Sequence, residues 1–363
     1  MIDNSIMLTA LFAFVTALAV SFAMTPAVKI LAKRVGAVDI PKDNRRMHKT
    51  PMARMGGLAI FLGFIVSFLL FGHMDGEMRA ILIGAVIIVV LGIFDDIYTL
   101  KAPLKFGVQV VAALIPALSG VDIARFTNPF SEGGYFSLGI FAVPITVLWI
   151  VVLTNAVNFI DGLDGLAVGV SSIASITLFT IAVLVSENYV AVIMAALAGG
   201  CIGFMPYNMN PAKIFMGDTG SMFLGFILAT TSIQGLFKFY AIISFAVPFI
   251  ILGLPIFDTA FAILRRVLKG QSPMTADRGH IHHRLIDMGF DQKQSVAILY
   301  ALSMVLGLSA VLLTTSGEVK IIILVIAVLL SVMIGLSITA LDKRGDEKKQ
   351  HQAEAQEDKH EKS

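Results

Sequence analysis

Residues 143–185 read VPITVLWIVVLTNAV (143–157), NFIDGLDG (158–165) and LAVGVSSIASITLFTIAVLV (166–185). Two apolar runs flank a polar octet that carries two aspartates. A carboxylate at a bilayer centre costs roughly 2.5–3.5 kcal/mol even on the lenient insertion scale. The octet therefore reads as the connection between two membrane helices. Asp161 and Asp164 then sit at a helix end near water.

The same pattern recurs along the chain. Of 363 residues, 57% are hydrophobic and 14% charged, against about a quarter charged in soluble domains. Apolar segments of the length that crosses lipid, about 17–25 residues, predict eleven helices: 7–32, 56–72, 79–94, 104–119, 139–157, 166–186, 189–206, 219–236, 240–264, 295–315 and 319–340. The expected fold is all-α and polytopic, one transmembrane domain over 1–341 followed by a charged, solvated tail over 342–363. The fourth segment, with Gln109 and Pro116, is the weakest of the set. The start, MIDNSIM, lacks a basic flank and reads as the beginning of a retained helix. Cys201 is the only cysteine, so no disulfide framework is expected.

Basic residues set the orientation. All but Arg79, Arg125, Lys238 and Lys320 of the 27 lysines and arginines fall on one side of this topology. That side is the cytosol, with the N-terminus outside and the C-terminus inside. The 120–138 loop lies outside and has the Asn, Pro and Gly of a small hairpin.

The chemistry-bearing residues collect in the inner loops. Asp95 and Asp96 follow VVLGIF, and the NFIDGLDG octet comes next. YNMNPAKIFMGDTGS (207–221) holds Asn208 and Asp218, and SPMTADRGHIHHR (272–284) holds His280, His282 and His283. Oxygen donors without cysteine favour Mg²⁺, with Mn²⁺ as the substitute. A metal between carboxylates and a phosphate removes their repulsion. Gly220 and Ser221 open a helix whose free N–H groups suit a phosphate. Each group also has a plain reading. Asp95 and Asp96 suit a solvated loop, Asp218 or Thr219 suits a helix cap, and the histidines suit a surface cluster or zinc site. The basic 33–54 loop suits a topogenic signal. Asp258, inside the ninth span, suits an ion pair with Arg265 or Arg266. The conjunction of four loops on one side favours metal-assisted phosphoryl transfer involving a lipid. A transporter or flippase is the alternative class, although no internal repeat supports it.

NAVNFIDGLDGLA (155–167), FMGDTGS (215–221), the Asp95–Asp96 pair, PMARMGG (51–57) and HIHH (280–283) together resemble the polyprenyl-phosphate N-acetylhexosamine-1-phosphate transferase family, across all eleven spans. The chain looks most like the N-acetylglucosamine branch, including the enzymes that begin teichoic-acid linkage units. It looks less like the phospho-MurNAc-pentapeptide branch, whose DDxxD and HHH patterns are broken here by Thr99 and Ile281.

The resemblance implies that undecaprenyl phosphate and UDP-N-acetylglucosamine react, with Mg²⁺, to give undecaprenyl-diphospho-N-acetylglucosamine and UMP. Another UDP-N-acetylhexosamine is the alternative donor. It implies Asp95, Asp96 and Asp161 as catalytic residues and Asn155 and Asp218 as metal ligands. Gly162, Leu163, Asp164, Asn208, Phe215, His280, His282 and His283 are implied as substrate-binding. A homodimer is compatible with the resemblance, and no nucleic-acid partner is expected.

Overall fold

The computed structural model describes residues 4–40, 51–127, 135–234, 242–268, 270 and 280–315. The expected eleventh span (319–340) and the charged tail lie outside these residues, as do residues 41–50 of the first basic loop.

The chain opens with α1 (Asn4–Val35), a two-residue strand β1 (Val38–Asp39) paired antiparallel with β2 (Met52–Ala53), and α2 (Gly57–Phe71). Helices α3 (Gly76–Tyr98) and α4 (Ala102–Leu118) follow. The expected hairpin is present as β3 (Arg125–Thr127) against β4 (Tyr135–Ser137). Then come α5 (Ala142–Phe159), α6 (Leu166–Leu184), α7 (Asn188–Asn208) and α8 (Gly217–Ser232). The described chain closes with α9 (Ile242–Ile251), α10 (Gly253–Leu268), a short α11 (Ile281–Asp287) and α12 (Gln292–Thr315). Among the described residues, six helical segments are long and apolar enough to cross a membrane, and α2 and α4 are shorter apolar helices. The protein is a multi-pass membrane protein.

Packing follows residue size. Helix α1 buries Ala10, Ala13, Ala17, Ser21 and Thr25 along one face and exposes Leu8, Leu11, Phe12, Val15 and Phe22 on the other. Small residues let helix backbones approach where lipid supplies no hydrophobic drive between them. Helix α8 is the centre of the molecule. Every residue from Thr219 to Ser232 is buried, so α8 is apolar or small on all sides. It meets α2 where a Cβ on Gly57 would fall 1.9 Å from the Gly220 Cα. Only glycine pairs allow that crossing, and it brings the starts of α2 and α8 together.

Two expectations are corrected. The ninth segment is two helices, broken at Leu252. Pro255 has no N–H to donate to Ile251, which removes the bond that would carry the helix through. The third helix runs to Tyr98 rather than ending at residue 94. Asp95 and Asp96 are therefore not loop residues. They occupy the last turn of α3 and are buried.

Candidate active site

The end of α3 and the start of α8 are built around Asp96. Its Oδ1 accepts from the Asp218 N–H at 3.0 Å, and its Oδ2 accepts from the Thr219 N–H at 3.1 Å and the Thr219 hydroxyl at 2.7 Å. These are N–H groups that a helix start leaves without intrahelical partners. Asp96 caps α8 from another helix. That corrects one expectation, since neither Asp218 nor Thr219 caps α8, and it occupies the Asp218 and Thr219 N–H groups. Gly217 is required here twice over. Its φ is +73°, and a Cβ would lie 2.4 Å from the Asp96 carboxylate.

Asp218, fixed by that cap, projects toward the cavity. Lys105 Nζ bridges it to Asp95, at 3.1 Å from Asp218 Oδ2 and 2.9 Å from Asp95 Oδ2. Arg54 lies 3.4 Å from Asp96 and 3.8 Å from Asp218. Asn158 Nδ2 donates to Asp218 Oδ1 at 3.1 Å and to Ser221 Oγ at 2.8 Å. Asp95 also accepts from the Leu100 N–H at 2.6 Å, closing the α3–α4 turn. Three carboxylates at low exposure thus share two cations, which offsets the cost of burying them.

Beside this cluster lies a cavity of about 640 Å³. Its walls come from the β1–β2 segment (Asp39, Met52, Arg54), the α5–α6 turn (Asn158, Asp161, Gly162, Leu163, Asp164), the α7–α8 connection (Asn208, Asn210, Pro211, Ala212, Phe215, Met216, Gly217, Asp218), and His283 and Gln292. Asp161 faces the cavity from outside the spans. Burial first, then the charges of Asp218, Asp96 and Asp164, push its carboxyl up to about 8, against the opposing pull of Arg54.

Asp164 and Asn208 brace the walls. Asp164 Oδ2 accepts from Asn210 Nδ2 and from the Ala212 N–H, each at 3.0 Å, and Asn210 also donates to Gln292 at 2.7 Å. Asn208 is 2% exposed. Its Oδ1 accepts from the Gly165 N–H and its Nδ2 donates to the Ile214 carbonyl. An amide so engaged holds the α7–α8 connection against the α5–α6 turn at the cavity wall. Phe215 remains half-buried on the cavity wall.

The histidines divide. Only His283 lines the cavity. His280 is buried with Nδ1 at 2.8 Å from Asp258 Oδ2, and Asp258 Oδ1 accepts from the Ile281 N–H. Asp258 thus ties the start of α11 to α10. His282, 2% exposed, stacks on His280 with ring centroids 5.8 Å apart. Burial, then the neighbouring His283, lowers the His282 ring to about 3, so it is neutral at physiological pH. His280 and His282 therefore support the loop that presents His283.

Asn155 is the clearest displacement from expectation. It is not a cavity residue. Its Nδ2 donates to Gln109 Oε1 at 2.6 Å and to the Val151 carbonyl. The amide beside Asp218 belongs to Asn158, one turn later. Periodicity could not separate the two, since both lie on one face of α5. Arg54, Lys105 and Asn210 were also missed as site residues. Arg54 and Lys105 read as topogenic charge, and only the fold places them on the carboxylates.

A helical multi-pass membrane protein with an acidic, cation-bridged cavity at one end of its bundle is the class these features define. The family model described as Glycosyl transferase family 4 matches residues 78–236, which span α3 to the end of α8 and hold most of the site. The chain is 43% identical over 311 residues to a probable undecaprenyl-phosphate N-acetylglucosaminyl 1-phosphate transferase of Bacillus subtilis, covering 85% of this chain and 86% of that one. It is 34% identical over 314 residues to a decaprenyl-phosphate N-acetylglucosaminephosphotransferase of Mycobacterium tuberculosis, covering 78% of each. Similarity to a phospho-N-acetylmuramoyl-pentapeptide-transferase of Clostridium botulinum is 30% over 314 residues, covering 82% of this chain and 94% of that one. The chain belongs to the family of polyprenyl-phosphate hexosamine-1-phosphate transferases.

Proposed function

We propose that this protein transfers N-acetylglucosamine 1-phosphate from UDP-N-acetylglucosamine to undecaprenyl phosphate, releasing UMP. The observation that carries this reading is the Asp218 carboxylate, held among Lys105, Arg54 and Asn158 at the wall of a cavity sized for a nucleotide sugar. Family membership supplies the reaction class. The higher identity to the Bacillus subtilis and Mycobacterium tuberculosis enzymes than to the pentapeptide enzyme supports the sugar.

The donor set suits a hard divalent cation. Asp161 and Asp218 offer only carboxylate oxygens to the cavity. Among the described residues no three His, Cys, Asp or Glu side chains form a ready-made cage. Mg²⁺ fits that pattern, because it is usually held by one or two carboxylates with water and substrate phosphates. When bound it neutralises charge developing on the diphosphate.

The residues then divide the work. An oxygen of the lipid phosphate attacks the β-phosphorus of the nucleotide sugar. The bond from that phosphorus to the bridging oxygen breaks, and UMP leaves. A phosphate monoester has a second pKa of about 6, so the acceptor is largely dianionic at neutral pH and needs little help from a base. The harder task is bringing two anions together. Lys105 and Arg54 supply fixed positive charge for this, while Asp96 holds the start of α8 and hence Asp218. We favour direct attack over an aspartyl intermediate. Exchange of labelled UMP into UDP-N-acetylglucosamine without lipid acceptor would refute it.

The skew of basic residues supports a cytosolic active site with the N-terminus outside, and the product suits the first membrane step of a cell-wall glycopolymer such as teichoic acid. The deciding experiment uses full-length protein in detergent with undecaprenyl phosphate, Mg²⁺ and sugar-labelled UDP-N-acetylglucosamine. Label in lipid together with UMP is expected. Label with UDP would make the protein a glycosyltransferase of another mechanism, and product only with a different UDP-sugar would move the branch.

A further inference from the structure

We infer that Gln109 is a positioning residue for this reaction, setting the distance between Lys105 and Asn158 across Asp218. The inference rests on the transferase reading above. Gln109 sits on α4 and is 2% exposed. Its Oε1 accepts from Asn155 Nδ2 at 2.6 Å, and its Nε2 reaches Asn155 Oδ1 at 3.4 Å and Met222 Sδ at 3.2 Å. One buried amide therefore ties three helices together, α4, α5 and α8.

Each tied helix delivers one site group about a turn away. Lys105 precedes Gln109 by four residues on α4, Asn158 follows Asn155 by three on α5, and Asp218 precedes Met222 by four on α8. These spacings put each tie and its site group on the same helix face. The three site groups meet at Asp218, with both contacts at 3.1 Å. A buried polar pair between apolar helices is costly unless matched. Here the match fixes the axial register of α4 against α5, since leucine-like packing would tolerate sliding and a two-point amide pair does not. Its partners Asn155 and Met222 do not line the cavity, so Gln109 acts by placement.

The test is a swap cycle in full-length protein, read by UMP release into labelled-lipid assays and by thermal midpoint. Gln109→Met, Gln109→Asn and Asn155→Gln each lower kcat by roughly 10 to 10²-fold, the scale of a 1 Å misplacement. KM for UDP-N-acetylglucosamine stays within about twofold, because uniform binding is untouched. The double variant Gln109→Asn/Asn155→Gln keeps the summed length of the pair. It recovers most of the lost kcat, to within about threefold of wild type, a non-additivity expected only of touching residues. A merely structural role would lower the thermal midpoint and the yield of active protein without swap rescue. If the swap does not fold, Gln109→Glu, which keeps the acceptor for Asn155 Nδ2, is the rescuing variant. Gln109→Met, Gln109→Asn or Asn155→Gln at wild-type kcat overturns the inference, as does a folded swap without recovery, or Gln109→Glu no more active than Gln109→Met. Failure of the wild-type protein to transfer sugar 1-phosphate overturns the transferase reading itself.

Discussion

Replacing Asp96 separates a capping role from a chemical one. Its carboxylate accepts three hydrogen bonds from the first turn of α8, two from N–H groups and one from the Thr219 hydroxyl. Hydrogen bonds to a charged group contribute about 1.5–3 kcal/mol each, and a buried donor left unmet costs about 1–3 kcal/mol. The bonds share one acceptor and cannot be summed. Arg54, partly exposed, recovers hydration when its partner goes. Asp96→Ala should therefore destabilise by about 3 kcal/mol. For a chain of this size that lowers the unfolding midpoint by roughly 5 °C. Asp96→Asn keeps one acceptor but turns an NH₂ toward a donor, and should fall between. The assay is thermal unfolding in detergent, followed through the single tryptophan, Trp149, in parallel with turnover. Both readouts should drop together in Asp96→Ala. A variant that loses turnover while its midpoint stays within a degree of wild type would refute the capping argument and make Asp96 a chemical group only.

Other residues should behave differently. Asp218→Asn should abolish turnover with little change in midpoint, and near-normal activity at saturating Mg²⁺ would contradict its placement at the reacting diphosphate. Asp161 has a folded-state carboxyl raised to about 8 from 3.8, so the folded state holds a proton that the unfolded state has released. Its contribution is full below pH 4 and is lost as pH rises to about 8. Asp161→Asn should flatten that slope and raise stability at pH 8, without divalent cation, by about 1–2 kcal/mol after allowance for solvent in the cavity; turnover should disappear. An unchanged midpoint-versus-pH profile would count against it. His282 runs the other way. Its ring is lowered to about 3 from 6.5, so stability present above pH 6.5 is lost as pH falls toward 3. His282→Phe should show a shallower acid decline than wild type between pH 6.5 and 4.5.

Composition and periodicity settled the membrane class, most of the helical segments among the described residues and the β3–β4 hairpin. These follow from hydropathy and turn chemistry, which are local. The family resemblance also pointed to Asp161, Gly162, Leu163, Asp164, Asn208, Phe215, Asp218 and His283, all of which line the cavity. What the residues did on arrival was a matter of tertiary contact. Asp96 became a cap because α3 ends beside the start of α8, a meeting the Gly57–Gly220 crossing helps to lock. Arg54 and Lys105 read as topogenic charge because their partners lie far away in the chain. Asn155 and Asn158 share a helix face, and only the position of Gln109 on a different helix decides which one turns inward to the bundle and which reaches Asp218. Local sequence encodes which segment is a helix and which face is polar. The identity of the neighbour on that face belongs to the packed bundle.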